Sequence, residues 1–268
     1  MTDKIRLLSW NILEGFHRLQ SEDPDRPLDE ARLSAARTVI ADLKPDILAL
    51  NEALWCREIN GRFVDYAALL GFEHIVCDTY DGEWGNAILS RLPIAKSGRF
   101  RIHNRGGVKA TIKIGGRQIT VATYHPHPSR YPENKAADYR KMVAVEGPLI
   151  VCGDFNAINP ADAPDRETLL KAFSTFSEKP GPDLDRFLIG GKVVFAVLES
   201  LGLHDAIPMD GRHPTIPTRL ISKNTDSSMR IDHILVNDQV KVVSGEVVRH
   251  PSTDLASDHY PVMVDFAI

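Results

Sequence analysis

Short apolar runs that end on polar residues recur along this chain, separated by stretches with helical spacing. Residues 5–12 (IRLLSWNI) predict a first strand with Ser9 and Asn11 on one face. A loop rich in Asp and Pro at 20–28 leads into a helix on which Leu33, Ala36, Ile40 and Leu43 recur, and Pro45 follows its end. Residues 46–50 (DILAL) predict a buried strand; Glu52 lies just beyond it, sharing a face with Leu48 and Leu50, while Asn51 turns away. A second helix is predicted at 57–70, stopped by Gly71. Strands follow at 74–77, 86–90, 107–114 and 118–125, the last two joined by a Gly115-Gly116 hairpin turn. A helix at 134–146 precedes the apolar run Leu149-Ile150-Val151-Cys152, which passes through Gly153 into Asp154-Phe155-Asn156. Residues 157–185 form a polar, Pro-rich excursion with a short helix near 166–176, and a helix at 192–201 ends at Gly202. The last strands fall at 231–236, 240–248 and 260–266. With no repeat, low-complexity tract or linker, the pattern predicts one domain over residues 1–268, with two sheets and helices outside them.

Chemistry gathers at the strand ends. Alternation points Asp154 and Asn156 the same way, making an oxygen-rich ledge suited to a hard divalent cation or to a water that must be held and deprotonated. An Asx-turn closing the strand is the competing reading. The same design, an apolar strand with a metal-binding or acid–base residue at its C-terminal edge, fits Asn11, Glu52, His125, Asp232, Asp258 and His259. Convergence of those ends would assemble four carboxylates, two carboxamides and two imidazoles. Carboxylates so close raise one another's pKa unless a cation lies among them. The ligands are of oxygen type and neither HExxH nor a thiolate set is present, so Mg2+ is expected, with Mn2+ as the alternative.

Composition narrows the setting. A chain of 268 residues with 43% hydrophobic and 25% charged content reads as a soluble globular protein. Its net charge of −4 argues against nucleic-acid binding by bulk attraction but leaves room for a local basic stripe. Cys56, Cys77 and Cys152 form no CxxC pair and read as reduced thiols of a cytoplasmic protein. Residues 1–4 run straight into a strand, so no signal peptide is expected, and no apolar segment approaches the roughly 18 residues of a membrane span. No stable membrane association and no obligate protein partner are expected.

Seven motifs occur in order: Ser9-Trp10-Asn11-Ile12, Asn51-Glu52, the run from Gly85 to Arg91 (GNAILSR), Thr123-Tyr124-His125, Gly153-Asp154-Phe155-Asn156-Ala157, the run from Ile231 to Val236 (IDHILV), and Ser257-Asp258-His259-Tyr260-Pro261-Val262. Together they resemble the endonuclease/exonuclease/phosphatase superfamily, which includes DNase I-like nucleases, apurinic endonucleases, sphingomyelinases and inositol-phosphate phosphatases. The resemblance covers nearly the whole chain. It implies a four-layer α/β sandwich of two mostly antiparallel sheets, face to face and flanked by helices. It also implies that Glu52 is the principal metal carboxylate, with Asn11 and Asp258 beside it. Asp154 and Asn156 would position the attacking water and the scissile phosphate, the water's proton going to Asp154 or to the Asp232–His259 pair. Asp232 would fix the tautomer of His259, and His259 and His125 would contact phosphate oxygens. Two departures stand out: Asn51 occupies a position where the family more often has Gln, and no acidic partner for His125 is clearly matched, Glu83 being nearest.

The reaction so implied is divalent-metal-dependent phosphoester hydrolysis, most simply a phosphodiesterase acting on DNA, RNA or a small soluble phosphodiester by in-line attack of water. A phosphomonoesterase or a sphingomyelinase-like phospholipid hydrolase is the alternative, and a non-catalytic binding module of the same fold ranks below both. Lys109, Arg105, Arg230 and His127 are candidates for contacting substrate, each weighed against a surface role. The alternating Arg99, Arg101, His103 and Arg105 read as a solvated strand edge in preference to a phosphate-tracking stripe. Trp10 and Trp84 read as packing residues, and His233 points to the face opposite Asp232.

Overall fold

A computed structural model describes residues 4–19, 26–80, 82–102, 105–162, 165–174, 177–223 and 229–268. In chain order its main elements are β1 (Ile5–Asn11), α1 (Glu30–Leu43), β2 (Ile47–Asn51), α2 (Tyr66–Leu70), β3 (His74–Tyr80), β4 (Trp84–Ser90), β5 (Ile94–Ile102), β6 (Arg105–Ile114) and β7 (Arg117–Tyr124). They continue with α3 (Pro132–Met142), β8 (Leu149–Asp154), α4 (Arg166–Phe173), α5 (Pro180–Ser200), β9 (Leu203–Asp205), β10 (Asp232–Asn237), β11 (Lys241–Val247), α6 (Thr253–Ala256) and β12 (Val262–Ala267).

The strands form two six-stranded sheets, ordered β11-β12-β1-β2-β4-β3 and β5-β6-β7-β8-β10-β9. Each contains one parallel pair, β1–β2 and β7–β8, and the other pairings are antiparallel. Period-two alternation explains the layers. Leu7, Ala49 and Ile88 of the first sheet meet Val121, Ile150 and Ile234 of the second in a core between the sheets. Their neighbours Leu8, Leu48 and Leu50 face outward under Leu33, Ala36, Val39 and Ile40 of α1. On the other side, Val151 and Phe155 lie under Tyr139 of α3 and Phe195 and Leu198 of α5. The result is helix, sheet, sheet, helix, with two mixed sheets in the middle, as expected.

Several boundaries differ from the sequence reading. The helix expected at 57–70 shrinks to Tyr66–Leu70, because Asn60 (φ 53°) and Gly61 (φ 79°) take left-handed conformations in a tight turn. Asp65 then caps the helix, accepting from Ala68 N at 3.0 Å. In the other direction, the helix expected at 192–201 begins at Pro180 and runs for 21 residues. It passes through Gly190-Gly191 because a Cβ at Gly191 would stand 1.8 Å from the Ile158 carbonyl oxygen; glycine lets the helix touch the backbone there. The end of the excursion is therefore the start of α5, which with α4 buries a satellite core of Leu169, Phe173, Leu184, Met229 and Ile231. Among the described residues no helix is long and apolar enough to cross a membrane.

Candidate active site

Both parallel pairs deliver their strand ends to the same edge of the sandwich. Asn11 closes β1, Glu52 follows β2, His125 follows β7, and Asp154 closes β8. Asp232, Asp258 and His259 reach that edge differently from the expectation. Asp232 opens β10 and the other two precede β12, so they come from strand beginnings. Antiparallel pairing makes the two equivalent: the start of β10 lies against the end of β8, with Asp232 paired to Asp154 in register.

Around this edge the side chains converge. Asn11 Nδ2 donates to Glu52 Oε1 at 3.1 Å and to Asp154 Oδ2 at 3.2 Å. Glu52 has φ 59° and has left the strand, and its other oxygen accepts the Glu14 amide at 3.0 Å. His125 Nε2 lies 3.3 Å from Asp154 Oδ2 and His259 Nε2 lies 3.9 Å from the same oxygen, so two imidazoles flank one carboxylate. His259 Nδ1 meets Asp232 Oδ2 at 2.7 Å, which fixes Nε2 as the end facing the cleft. Asp258 Oδ1 is 3.9 Å from His259 Nε2. Asn156, at φ 46°, donates its amide to Asp154 Oδ1 at 2.8 Å and its side chain to Pro126 O at 3.0 Å. Gly153 is needed where it is: its φ is 133°, and a Cβ would stand 2.6 Å from Tyr124 O and 2.9 Å from Asn51 Oδ1.

Charge in this edge is strongly coupled. Burial disfavours the His259 cation, yet Asp232, Asp258 and Asp154 hold its pKa well above the ordinary histidine value. Burial likewise works against the Asp154 anion, but His125 and His259 keep its pKa well below the carboxylate range. Burial pushes Asp258 up to about 6, with His259 opposing and Glu52 adding to the rise. Glu52 and Asp258 are thus two carboxylates whose charges oppose one another at the partly buried edge of the sandwich, and a cation between them would remove that cost. Asn11 Oδ1 accepts from Leu13 N at 3.1 Å and keeps a second lone pair. This hard-oxygen set fits a divalent cation of the Mg2+ or Mn2+ kind.

Not every candidate gathers here. Arg230 is buried in ion pairs with Asp162 and Asp205. Its guanidinium is committed to that network and faces away from the cleft, which corrects the expectation of a substrate contact. The same network, with Arg212 on Asp162 at 3.0 Å, fills the Asp162, Asp205 and His233 cluster with cations from the protein itself. Lys109 lies on the outer face of β6, its stem against Gly98, because Val108 and Ala110 take the inward positions. It too is corrected. Glu83 does not support His125; it lines a separate hollow with Trp55 and Arg62. The side chain of Arg105 lies outside the described residues, as do those of Arg101 and His103. His127 does line the cleft, with Ser129 N 3.1 Å from its Nδ1. Trp84 lines it as well, whereas Trp10 is a core residue that donates Nε1–H to His259 O at 2.9 Å.

Two residues with direct ties to the site escape the sequence reading. Asn51 points inward between the sheets: its Oδ1 accepts the Asp154 amide at 2.8 Å, and its Nδ2 donates to Asn86 Oδ1 at 2.6 Å and Thr123 Oγ1 at 3.2 Å. Lys135 is buried on α3 and donates from Nζ to Asn156 O at 2.7 Å; burial brings its pKa down to about 8. A signal for Lys135 was available, since it shares a helical face with the core residues Tyr139 and Met142.

Solved structures share the architecture. An AP endonuclease from Archaeoglobus fulgidus superposes with TM-score 0.69 at 20% identity, over 98% of this chain and 100% of that one. The human Nocturnin catalytic domain with bound sulfate anion gives 0.65 at 20%, over 98% and 94%. An endonuclease/exonuclease/phosphatase from Beutenbergia cavernae gives 0.67 at 20%, over 99% and 72%. At these identities the likeness is one of fold. No curated protein matches the chain by sequence. Residues 8–259 do match the Endonuclease/Exonuclease/phosphatase family model, the span that carries every converging side chain from Asn11 to His259. The chain belongs to the Endonuclease/Exonuclease/phosphatase family.

Proposed function

We propose that the protein is a Mg2+- or Mn2+-dependent phosphodiesterase, a single catalytic domain that hydrolyses nucleic acid or a small soluble phosphodiester by in-line attack of water. The observation that carries this reading is the pair of imidazoles on Asp154 Oδ2, one of them locked by Asp232, beside the Glu52–Asn11–Asp258 oxygen set. A divalent ion held by Glu52, Asn11 and Asp258 would neutralise phosphate charge and stabilise the developing oxyanion. His259, cationic and held in orientation by Asp232 at Nδ1, donates from Nε2 to a phosphate oxygen. His125 approaches the same region from the other side of Asp154. Asp154 is ionised and would orient the water, the proton going to Asp154 or to the Asp232–His259 pair, and Asn156, tethered to Pro126 and Asp154, holds the phosphate in line. Three buried, unpaired cysteines suit a reducing, cytoplasmic setting.

The test is an activity panel with each metal, covering plasmid DNA, abasic duplex, RNA, bis-p-nitrophenyl phosphate, sphingomyelin and inositol phosphates, with Glu52→Ala as the blank. Replacing Glu52, Asp154 or His259 by Ala is expected to lower turnover by at least about 10²-fold. Hydrolysis by His259→Ala at the native rate would defeat the assignment.

A further inference from the structure

The cleft holds more than the catalytic cluster needs. Its volume is about 1080 Å³, at the upper end of what a complete small-molecule ligand occupies, and far more than one phosphoryl group fills. Its two walls differ in kind. One is the polar edge built by Glu52, His125, Asp154, Asn156 and His259. Another part of the lining is apolar: half-buried Phe187 and Ile216 face the cleft over the buried side chains of Phe173, Met229 and Ile231. Phe187 is half-buried, edge-on to Phe173 with ring centroids 5.1 Å apart, so its ring stands in a fixed orientation at the cleft. Lys135 joins the walls, since Nζ holds Asn156 O at 2.7 Å and lies 5.6 Å from the Phe187 ring centre. The apolar wall is therefore placed relative to the phosphate-handling residues by one buried side chain.

Charge at the mouth argues against a polyanion. Lys179 and Arg186 are offset by Glu178 and Asp183, and Asp183 lies 3.7 Å from Arg186. A duplex needs a run of cations that follows its phosphates, and among the described lining residues the charges alternate in sign instead.

Resting on the phosphodiesterase reading above, we infer that this wall, built by the α4–α5 excursion, is a subsite for an apolar ester group, an aromatic ring or a short aliphatic chain. The substrate class is then a small amphiphilic phosphoester whose phosphate sits at His125 and His259 while its apolar arm lies against Phe187 and Ile216. Burial of such a group favours binding, whereas a methyl ester leaves the wall in contact with water.

The experiment compares phenylphosphonate with methylphosphonate, two non-hydrolysable tetrahedral anions that differ only in the apolar arm. Each is titrated calorimetrically into the protein in Mg2+. Phenylphosphonate is expected to bind at least ~10-fold more tightly. Phe187→Ser and, separately, Ile216→Ser should each bring the ratio of the two affinities to within ~3-fold. A short DNA duplex should not displace phenylphosphonate. Equal affinities in the native protein, no measurable binding of either anion, a ratio unmoved in both variants, or displacement by duplex would each overturn the subsite. The native pair alone decides the matter if either variant fails to fold. Hydrolysis of bis-p-nitrophenyl phosphate by the same samples separates the two readings. Turnover with equal phosphonate affinities leaves the phosphodiesterase and removes the subsite; a retained phenyl preference without turnover does the reverse.

Discussion

Asn51 fixes where Asp154 can stand. Its carboxamide reaches from the first sheet across to the Asp154 amide in the second, and is itself braced by Asn86 and Thr123, so all three contacts are buried. Replacing it by leucine keeps the branched shape but strands the Asp154 amide and the Asn86 and Thr123 partners. Asn51→Leu is expected to destabilise the fold by ~1–3 kcal/mol in urea unfolding. It should also lower kcat with KM little changed, because it sits behind Asp154 rather than beside substrate; a kcat equal to that of the native protein would reduce Asn51 to a stability residue. The sequence made most of the site legible, because Asn11, Glu52, His125, Asp154, Asp232, Asp258 and His259 each border an apolar run. Asn51 escaped because alternation assigns neighbours to opposite faces. Glu52, at φ 59°, has left the strand, so both side chains serve the same end of the sandwich. Lys109 and Arg230 failed for a related reason. A basic residue near a glycine or a site motif says nothing about which face it takes or which acid already holds it.

At the level of elements, the two sheets were readable from period-two runs, while α5 was not. A glycine pair reads as a helix end, and only the approach of the Ile158 backbone explains why Gly191 lies inside one. The contact between α5 and the second sheet also encloses His233 of β10, whose ring lies 4.8 Å from Phe195 and 5.2 Å from Phe155. His233 Nε2 donates to Ala157 O at 3.0 Å, which leaves Nδ1 unprotonated, 4.0 Å from Asp205 Oδ2. Burial, with the nearby Arg230 cation, presses its pKa down to about 3, and Asp205 opposes the shift. In the unfolded chain the ring titrates near 6.5, so below that pH the unfolded state takes up a proton that the folded state refuses. Stability contributed by this site is complete above pH 6.5 and falls as pH drops toward about 3, by up to ~1.4 kcal/mol per pH unit. Urea midpoints between pH 7 and 4 should fall less steeply in His233→Phe than in the native protein; parallel slopes would mean that other groups carry the acid sensitivity.

For the molecule as a whole, the two sheets meet in one core but bring like charges to one end of it. Glu52 from the first sheet and Asp258 from the turn before β12 are mutually unfavourable, and Asp154 from the second sheet adds to the rise at Asp258. The fold carries that repulsion as a standing cost unless a cation is bound, so metal binding and folding are linked. A ligand that binds only the folded state stabilises it by about 2.7 kcal/mol at a hundredfold excess over its Kd. For a chain of this size that corresponds to a rise in Tm of roughly 5–10 °C. Mg2+ should therefore raise the native protein's Tm by that order, measured by scanning calorimetry against a chelator blank. Glu52→Ala should lose the shift, measured against its own chelator blank. An equal Mg2+ shift in Glu52→Ala would show that the ion binds elsewhere, and the strand ends would then need a different explanation for bringing their acids together.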